Sequence, residues 1–129
     1  MRSGIKLLDD RPGSGAPIER HRVYRLRLKM WLNKGEPVRW DQPWGTVDHA
    51  RLEDGGCTLV TDLRIDRENF IAGLFQGIDG MCIGGRRKLR ISPHLAYGDN
   101  GIPDRIPPGA AILAEIEFIE ERERKTADE

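Results

Sequence analysis

The sequence predicts a single α+β domain in which a mostly antiparallel sheet of about five strands wraps around one helix. Three observations predict it. Segments alternating apolar and polar residues recur along the chain; one stretch, beginning at Asp66 and ending near Met81, carries apolar residues at helical spacing; and the connections are short enough to favour antiparallel neighbours. At 129 residues, a split into two domains would leave neither half with much core. The domain is therefore expected to span residues 1–120, with 121–129 as a charged tail that frays.

Ile5 to Leu8 reads as a short edge strand, closed by the breaker cluster from Arg11 to Pro17. The clearest periodicity follows: Tyr24, Leu26, Leu28, Met30 and Leu32 alternate with Arg25, Arg27, Lys29 and Trp31, which marks a strand with one buried face. Asn33 to Pro37 makes a turn. Residues 42–57 contain several breakers and no regular pattern, so they read as an irregular, partly exposed excursion. Thr58 to Ile65 alternates again. Asp66 is a plausible N-cap for a helix that places Phe70, Ile71, Leu74, Phe75, Ile78 and Met81 along one stripe. Gly73, Gly77 and Gly80 each lower helix propensity by roughly 1 kcal/mol relative to alanine, so packing must hold this helix, and its small-residue edge would admit a strand backbone. Arg86 to Ser92 and Ala111 to about Glu120 supply the last two strands.

Composition narrows the function classes. Lys plus Arg equals Asp plus Glu at 21 each, and phosphate binding normally needs a basic excess, so nucleic acid is not an expected partner. No apolar run approaches the roughly 18 residues of a membrane span, and the first residues lack the apolar core of a signal peptide. Cys57 and Cys82 stand far apart without a Cys-x-x-Cys motif, and His21, His49 and His94 are scattered among polar neighbours. The expectation is two free thiols in a reducing, cytoplasmic setting, with no metal site and no cofactor.

The most informative stretch is the loop between the last two strands. Pro103, Pro107 and Pro108 fix φ and remove backbone donors, while Gly98 and Gly101 permit positive φ, so Tyr97, Ile102 and Ile106 are held at low entropic cost. Such a loop can wall a pocket.

From Gly73 through Gly77, Met81, Gly84, Arg86, Lys88-Leu89, Ile91-Ser92-Pro93, Ala96-Tyr97-Gly98, Gly101-Ile102-Pro103, Ile106-Pro107-Pro108 and Ala110 to Ile112, the chain resembles the C-terminal half of the FKBP-type peptidyl-prolyl cis-trans isomerases. Similar segments cover about residues 66–119, and Tyr24 to Asp41 more loosely resembles the family's first long strand and following turn. The resemblance implies an FKBP-like twisted antiparallel sheet around one short helix, with a proline-binding pocket between them. It also implies isomerase activity on proline-containing clients, with no cofactor, by a chain expected to be a monomer. Fold and activity are separate claims.

Turning an X-Pro bond opposes an amide barrier of about 18–20 kcal/mol and requires no nucleophile or metal. An apolar cavity favours the less polar twisted amide, and a directed hydrogen bond holds the substrate carbonyl. By position, the resemblance gives Tyr97 the role of hydroxyl donor, Ile71 that of backbone N–H donor, and Asp41 that of the wall acid. The last match allows a short insertion in the Gly35 turn and makes Trp40 the aromatic partner of Asp41. Phe70 falls at an apolar wall position, Leu74 at the pocket floor, Ile106 and Ile102 in the loop, Leu28 on the first long strand and Ala114 on the last.

This chain departs from the best-known members in having leucine at the floor, Leu28 for a tyrosine, Ala114 for a phenylalanine and Ile102 for a frequent histidine. Leu28 and Ala114 are expected to widen the cavity and remove aromatic stacking, with Phe70, Trp40 or Trp44 available to refill it. Weak or absent binding of macrolide immunosuppressants follows as an expectation, with isomerase activity present even if low. Two other readings are weighed: an FKBP-fold chaperone or binding module using the same groove, and a docking domain anchored through Trp31 on the polar face of its strand.

Overall fold

The computed structural model describes residues 4–40, 50–67 and 70–122. In chain order it contains β1 (Ile5–Arg11), β2 (Val23–Leu32), β3 (Arg51–Glu53), β4 (Thr58–Arg64), α1 (Ala72–Gly77), β5 (Arg86–Ile91) and β6 (Ile112–Arg122). The strands form one antiparallel sheet in the order β1-β5-β6-β2-β4-β3. The predicted α+β architecture is observed, with six strands rather than about five. The additional one is β3, inside the stretch read as irregular; its three residues pair with Thr58 to Val60 across the turn Asp54–Gly56. Three residues are too few to display an alternation, and their pairing is with the next strand rather than within themselves. Asp41, Trp44 and His49 lie outside the described residues.

Strand β2 lies at the centre of the sheet because its alternating residues are satisfied from both sides. Tyr24, Leu26, Leu28 and Met30 are buried. Directly opposite them on β6, Leu26 meets Phe118, Leu28 meets Ile116 and Met30 meets Ala114; Ala114 in turn meets Leu89 on β5. Opposite residues in an antiparallel pair share a face, so these side chains make one continuous apolar layer. The Tyr24 and Phe118 rings meet edge to face with centroids 5.7 Å apart.

Helix α1 lies on this layer and is shorter than predicted. It starts after Ile71, whose backbone is extended at φ −60° and ψ 150°, so Asp66 is not its N-cap, and Ile78 and Met81 follow its end. Six residues suffice because the helix is held by packing, as its glycines imply. A Cβ on Gly73 would overlap Ile91, and one on Gly77 would overlap Leu89, so both positions admit the side chains of β5 rather than a bare strand backbone. The carbonyls after the helix are closed by Arg87, which donates to Gly77 O at 2.8 Å and Asp79 O at 2.6 Å.

The opposite face of the sheet carries the charges. Arg27 donates to Glu117 at 3.0 Å, and the buried Asp62 carboxylate accepts from Arg25 at 3.0 Å with Arg122 Nε 3.4 Å away. Trp31 is half-buried on this face, with Lys88 Nζ 4.8 Å from its ring centroid. At the edges, β1 continues past the predicted Leu8 to Arg11, with only Ile5 buried. Strand β6 runs through Arg122, and Glu121 accepts from Arg22 at 2.9 Å, so the sheet includes the first two residues of the segment assigned to the tail. Among the described residues, no helix is long and apolar enough to cross a membrane.

Candidate active site

The loop from Ser92 to Ala111 is tied to itself by its backbone. Gly98 N donates to Pro93 O at 2.8 Å, Gly101 N to Tyr97 O at 3.0 Å and Gly109 N to Gly98 O at 2.9 Å. Ile102 and Ile106 exchange a reciprocal pair of 2.8 Å bonds. Gly101 sits at φ +60°, and a Cβ there would overlap Ile106 O, so the tip closes only around glycine. The expected rigidity of this loop therefore has a local cause, and it leaves Ile106 buried while Tyr97 and Ile102 remain half-exposed.

Tyr97 emerges from this scaffold with its hydroxyl 3.6 Å from the Met30 sulfur. Burial pushes the phenol up to about 12, so it is a neutral O–H donor throughout the physiological range. A thioether is a weak acceptor. Among the described residues, the donor is thus engaged without a strong partner.

The helix approach supplies a second donor. Ile71 O accepts from Leu74 N at 3.0 Å and Phe75 N at 2.9 Å, whereas among the described residues no acceptor takes the Ile71 N–H. Extended backbone at Ile71 is what frees this group, because a helix beginning at Asp66 would have bonded it to an earlier carbonyl. Phe70 and Leu74 on either side are buried in the apolar layer.

Val38 and Trp40 approach from the turn after β2. Val38 N donates to Met30 O and Trp40 N to Gly56 O, both at 2.9 Å. Val38 is buried, and half-buried Trp40 packs against the core. Arg105 joins this segment to the loop: it donates to Arg39 O at 2.5 Å, with its guanidinium 6.0 Å from the Trp40 ring. Between Leu32, Glu36, Ile102, Arg105 and Pro107 lies an open recess of about 500 Å³.

The remaining predicted residues are deeper. Leu28 and Ala114 are about 1% and 0% exposed, and Ala114 is flanked directly by Met30 and Leu89. Ala114 consequently does not open the layer; Met30 from the neighbouring strand covers it. The structure brings Tyr97, Ile71, Phe70, Leu74, Ile102, Ile106, Trp40, Leu28 and Ala114 onto one apolar cluster, while Asp41 falls outside the described residues. Sequence reasoning missed Met30 and Val38. Both sit at apolar positions of a readable strand and turn, but only the register with β6 reveals what Met30 covers.

Residues 50–119 match the family model described as FKBP-type peptidyl-prolyl cis-trans isomerase. Peptidyl-prolyl cis-trans isomerase FPR2 of Saccharomyces cerevisiae is 40% identical over 115 residues, covering 84% of either chain. The chain belongs to the FKBP-type peptidyl-prolyl cis-trans isomerase family. The structure of AtFKBP13 superimposes with a TM-score of 0.69 at 28% identity, covering 93% of this chain and 94% of that one. Longer family members share less: Peptidyl-prolyl cis-trans isomerase FKBP10 of Mus musculus is 46% identical over 50 residues, which are 9% of its length.

Proposed function

We propose that this chain catalyses cis-trans rotation about X-Pro bonds of protein clients and thereby assists their folding. The observation that carries the reading is the Tyr97 hydroxyl, held neutral by burial and bonded, among the described residues, only to a thioether, in the same apolar cluster as Phe70, Leu74, Met30 and Ile106. Exchanging the sulfur for a client carbonyl strengthens the hydrogen bond, and the Ile71 N–H supplies a further donor. The pyrrolidine ring is received beside Phe70 and Leu74, where loss of water favours the twisted, less polar amide. Leu28 and Ala114 act from below by supporting Met30, Trp40 and Ile102 form the rim, and Asp41 takes the part of the wall acid that the family resemblance implies.

The absence of aromatic rings at Leu28, Leu74 and Ala114 supports low affinity for macrolide immunosuppressants. The protein acts as a monomer in a reducing, cytoplasmic setting, a reading supported by the unbridged thiols of Cys57 and Cys82. Exchange spectroscopy or a protease-coupled assay on a proline peptide tests the activity. Turnover above the uncatalysed rate, reduced in both Tyr97→Phe and Asp41→Ala, is the expected result. A rate equal to background removes the enzyme and leaves a binding module.

A further inference from the structure

Phe75, on the helix beside the buried Leu74, is covered by two arginines. The Arg20 guanidinium carbon lies 5.0 Å from the ring centroid and that of Arg67 lies 5.9 Å from it. Both arginines line a cleft of about 280 Å³ together with Phe70, Phe75, Gln76 and Asp79. Of the neighbouring carboxylates among the described residues, Glu19 lies 3.1 Å from Arg22 and Asp66 lies 3.9 Å from Arg64. Among the described residues, neither Arg20 nor Arg67 has a carboxylate partner within salt-bridge distance. Among the described residues that line the cleft, Asp79 is the one acid against the two arginines.

A guanidinium stacked on an aromatic face keeps its N–H edge free for a planar or tetrahedral anion, and stacking restricts the side chain before any ligand arrives. Phe70 belongs both to this cleft and to the apolar layer below Tyr97. A client whose proline rests beside Phe70 has flanking residues within reach of the two arginines, because each residue advances the chain by about 3.3–3.6 Å.

We propose that Arg20 and Arg67, stacked on Phe75, form a subsite for an anionic side chain of the client, a carboxylate or a phosphate, within a few residues of the proline. The inference rests on the assignment of Phe70 to the proline site. It makes the chain selective for acidic or phosphorylated proline segments, a preference that a balanced net charge does not suggest.

The test uses the full chain and a peptide set with one proline, in which each flanking position in turn carries leucine, glutamate, lysine or phosphoserine. Turnover and binding are measured separately, the latter by titration followed through the Phe75 ring and arginine side-chain resonances. At one flanking position, glutamate or phosphoserine is expected to raise affinity and kcat/KM about tenfold over leucine, and lysine to lower them, with the advantage shrinking as salt is raised. In Arg20→Gln/Arg67→Gln the ratio of acidic to neutral peptide should fall to about one. Glutamate and phosphoserine arms distinguish carboxylate from phosphate as the favoured anion. An acidic preference equal in the wild type and the double variant, or no preference at any position, overturns the subsite. If no peptide is turned over, the isomerase reading fails by itself, and the titration still decides whether the arginines select anions.

Discussion

The hydroxyl of Tyr97 and the sulfur of Met30 meet at 3.6 Å, joining the loop between β5 and β6 to the central strand. Met30 also lies directly across from Ala114, so one flexible side chain sits beside a small residue and holds the Tyr97 hydroxyl. An unbranched thioether suits both tasks, since it fills irregular space and accepts a hydrogen bond only weakly.

Tyr97→Phe should therefore change folding stability by less than about 1 kcal/mol, because the bond it removes is weak. Its kcat/KM should drop by about tenfold, the worth of one good hydrogen bond to a client carbonyl. Denaturant unfolding alongside the proline-peptide assay separates the two effects. A large stability loss would mean that the phenol is structural.

High pH should destabilise the wild type more than this variant. The folded phenol is raised to about 12 from an ordinary value near 10, so above pH 10 the unfolded chain releases its proton first. Stability from this group is complete below pH 10 and is lost as pH rises towards 12, at no more than about 1.4 kcal/mol per pH unit. Ultraviolet titration of wild type against Tyr97→Phe reads the late-ionising phenol directly. Equal spectra near pH 11 and above would contradict its burial.

Gly77→Ala opposes propensity to packing. Alanine favours helix by about 1 kcal/mol at an interior position, yet a Cβ at Gly77 would overlap Leu89. Overpacking typically costs about 1–3 kcal/mol, so net destabilisation is expected in chemical denaturation. Stabilisation would show that α1 does not rest tightly on β5.

Asp62→Asn should lower stability by about 3 kcal/mol. It removes the charge facing Arg25 and Arg122 at a position almost wholly buried; Arg122 keeps Glu120 at 2.9 Å, whereas Arg25 loses its carboxylate partner among the described residues. Thermal unfolding measures the loss, and the distance of Asp62 from the apolar layer predicts little change in KM at temperatures where the variant is folded. A KM shift as large as that of Tyr97→Phe would contradict this separation.

Much of the fold was legible because its signals are local. Alternation from Tyr24 to Leu32 marked the central strand, and the prolines and glycines after Ser92 marked a stiff loop, since both depend on residues within a few positions of one another. The start of α1 was misplaced at Asp66 because a capping residue and an apolar stripe do not reveal that the backbone is extended at Ile71. Strand β3 was missed because three residues gain strand character only from their partner.

By itself, the amino-acid order determined the class of fold, the sequence of its major elements, the rigidity of the tyrosine loop and the family to which the chain belongs. Only tertiary structure decided that Met30 covers Ala114 and accepts from Tyr97, that the Ile71 N–H is left outside the helix, and that Arg20 and Arg67 converge on Phe75. The reason is physical: backbone propensity and alternation act over a few residues, whereas these relationships arise from strand register and close packing between segments tens of residues apart.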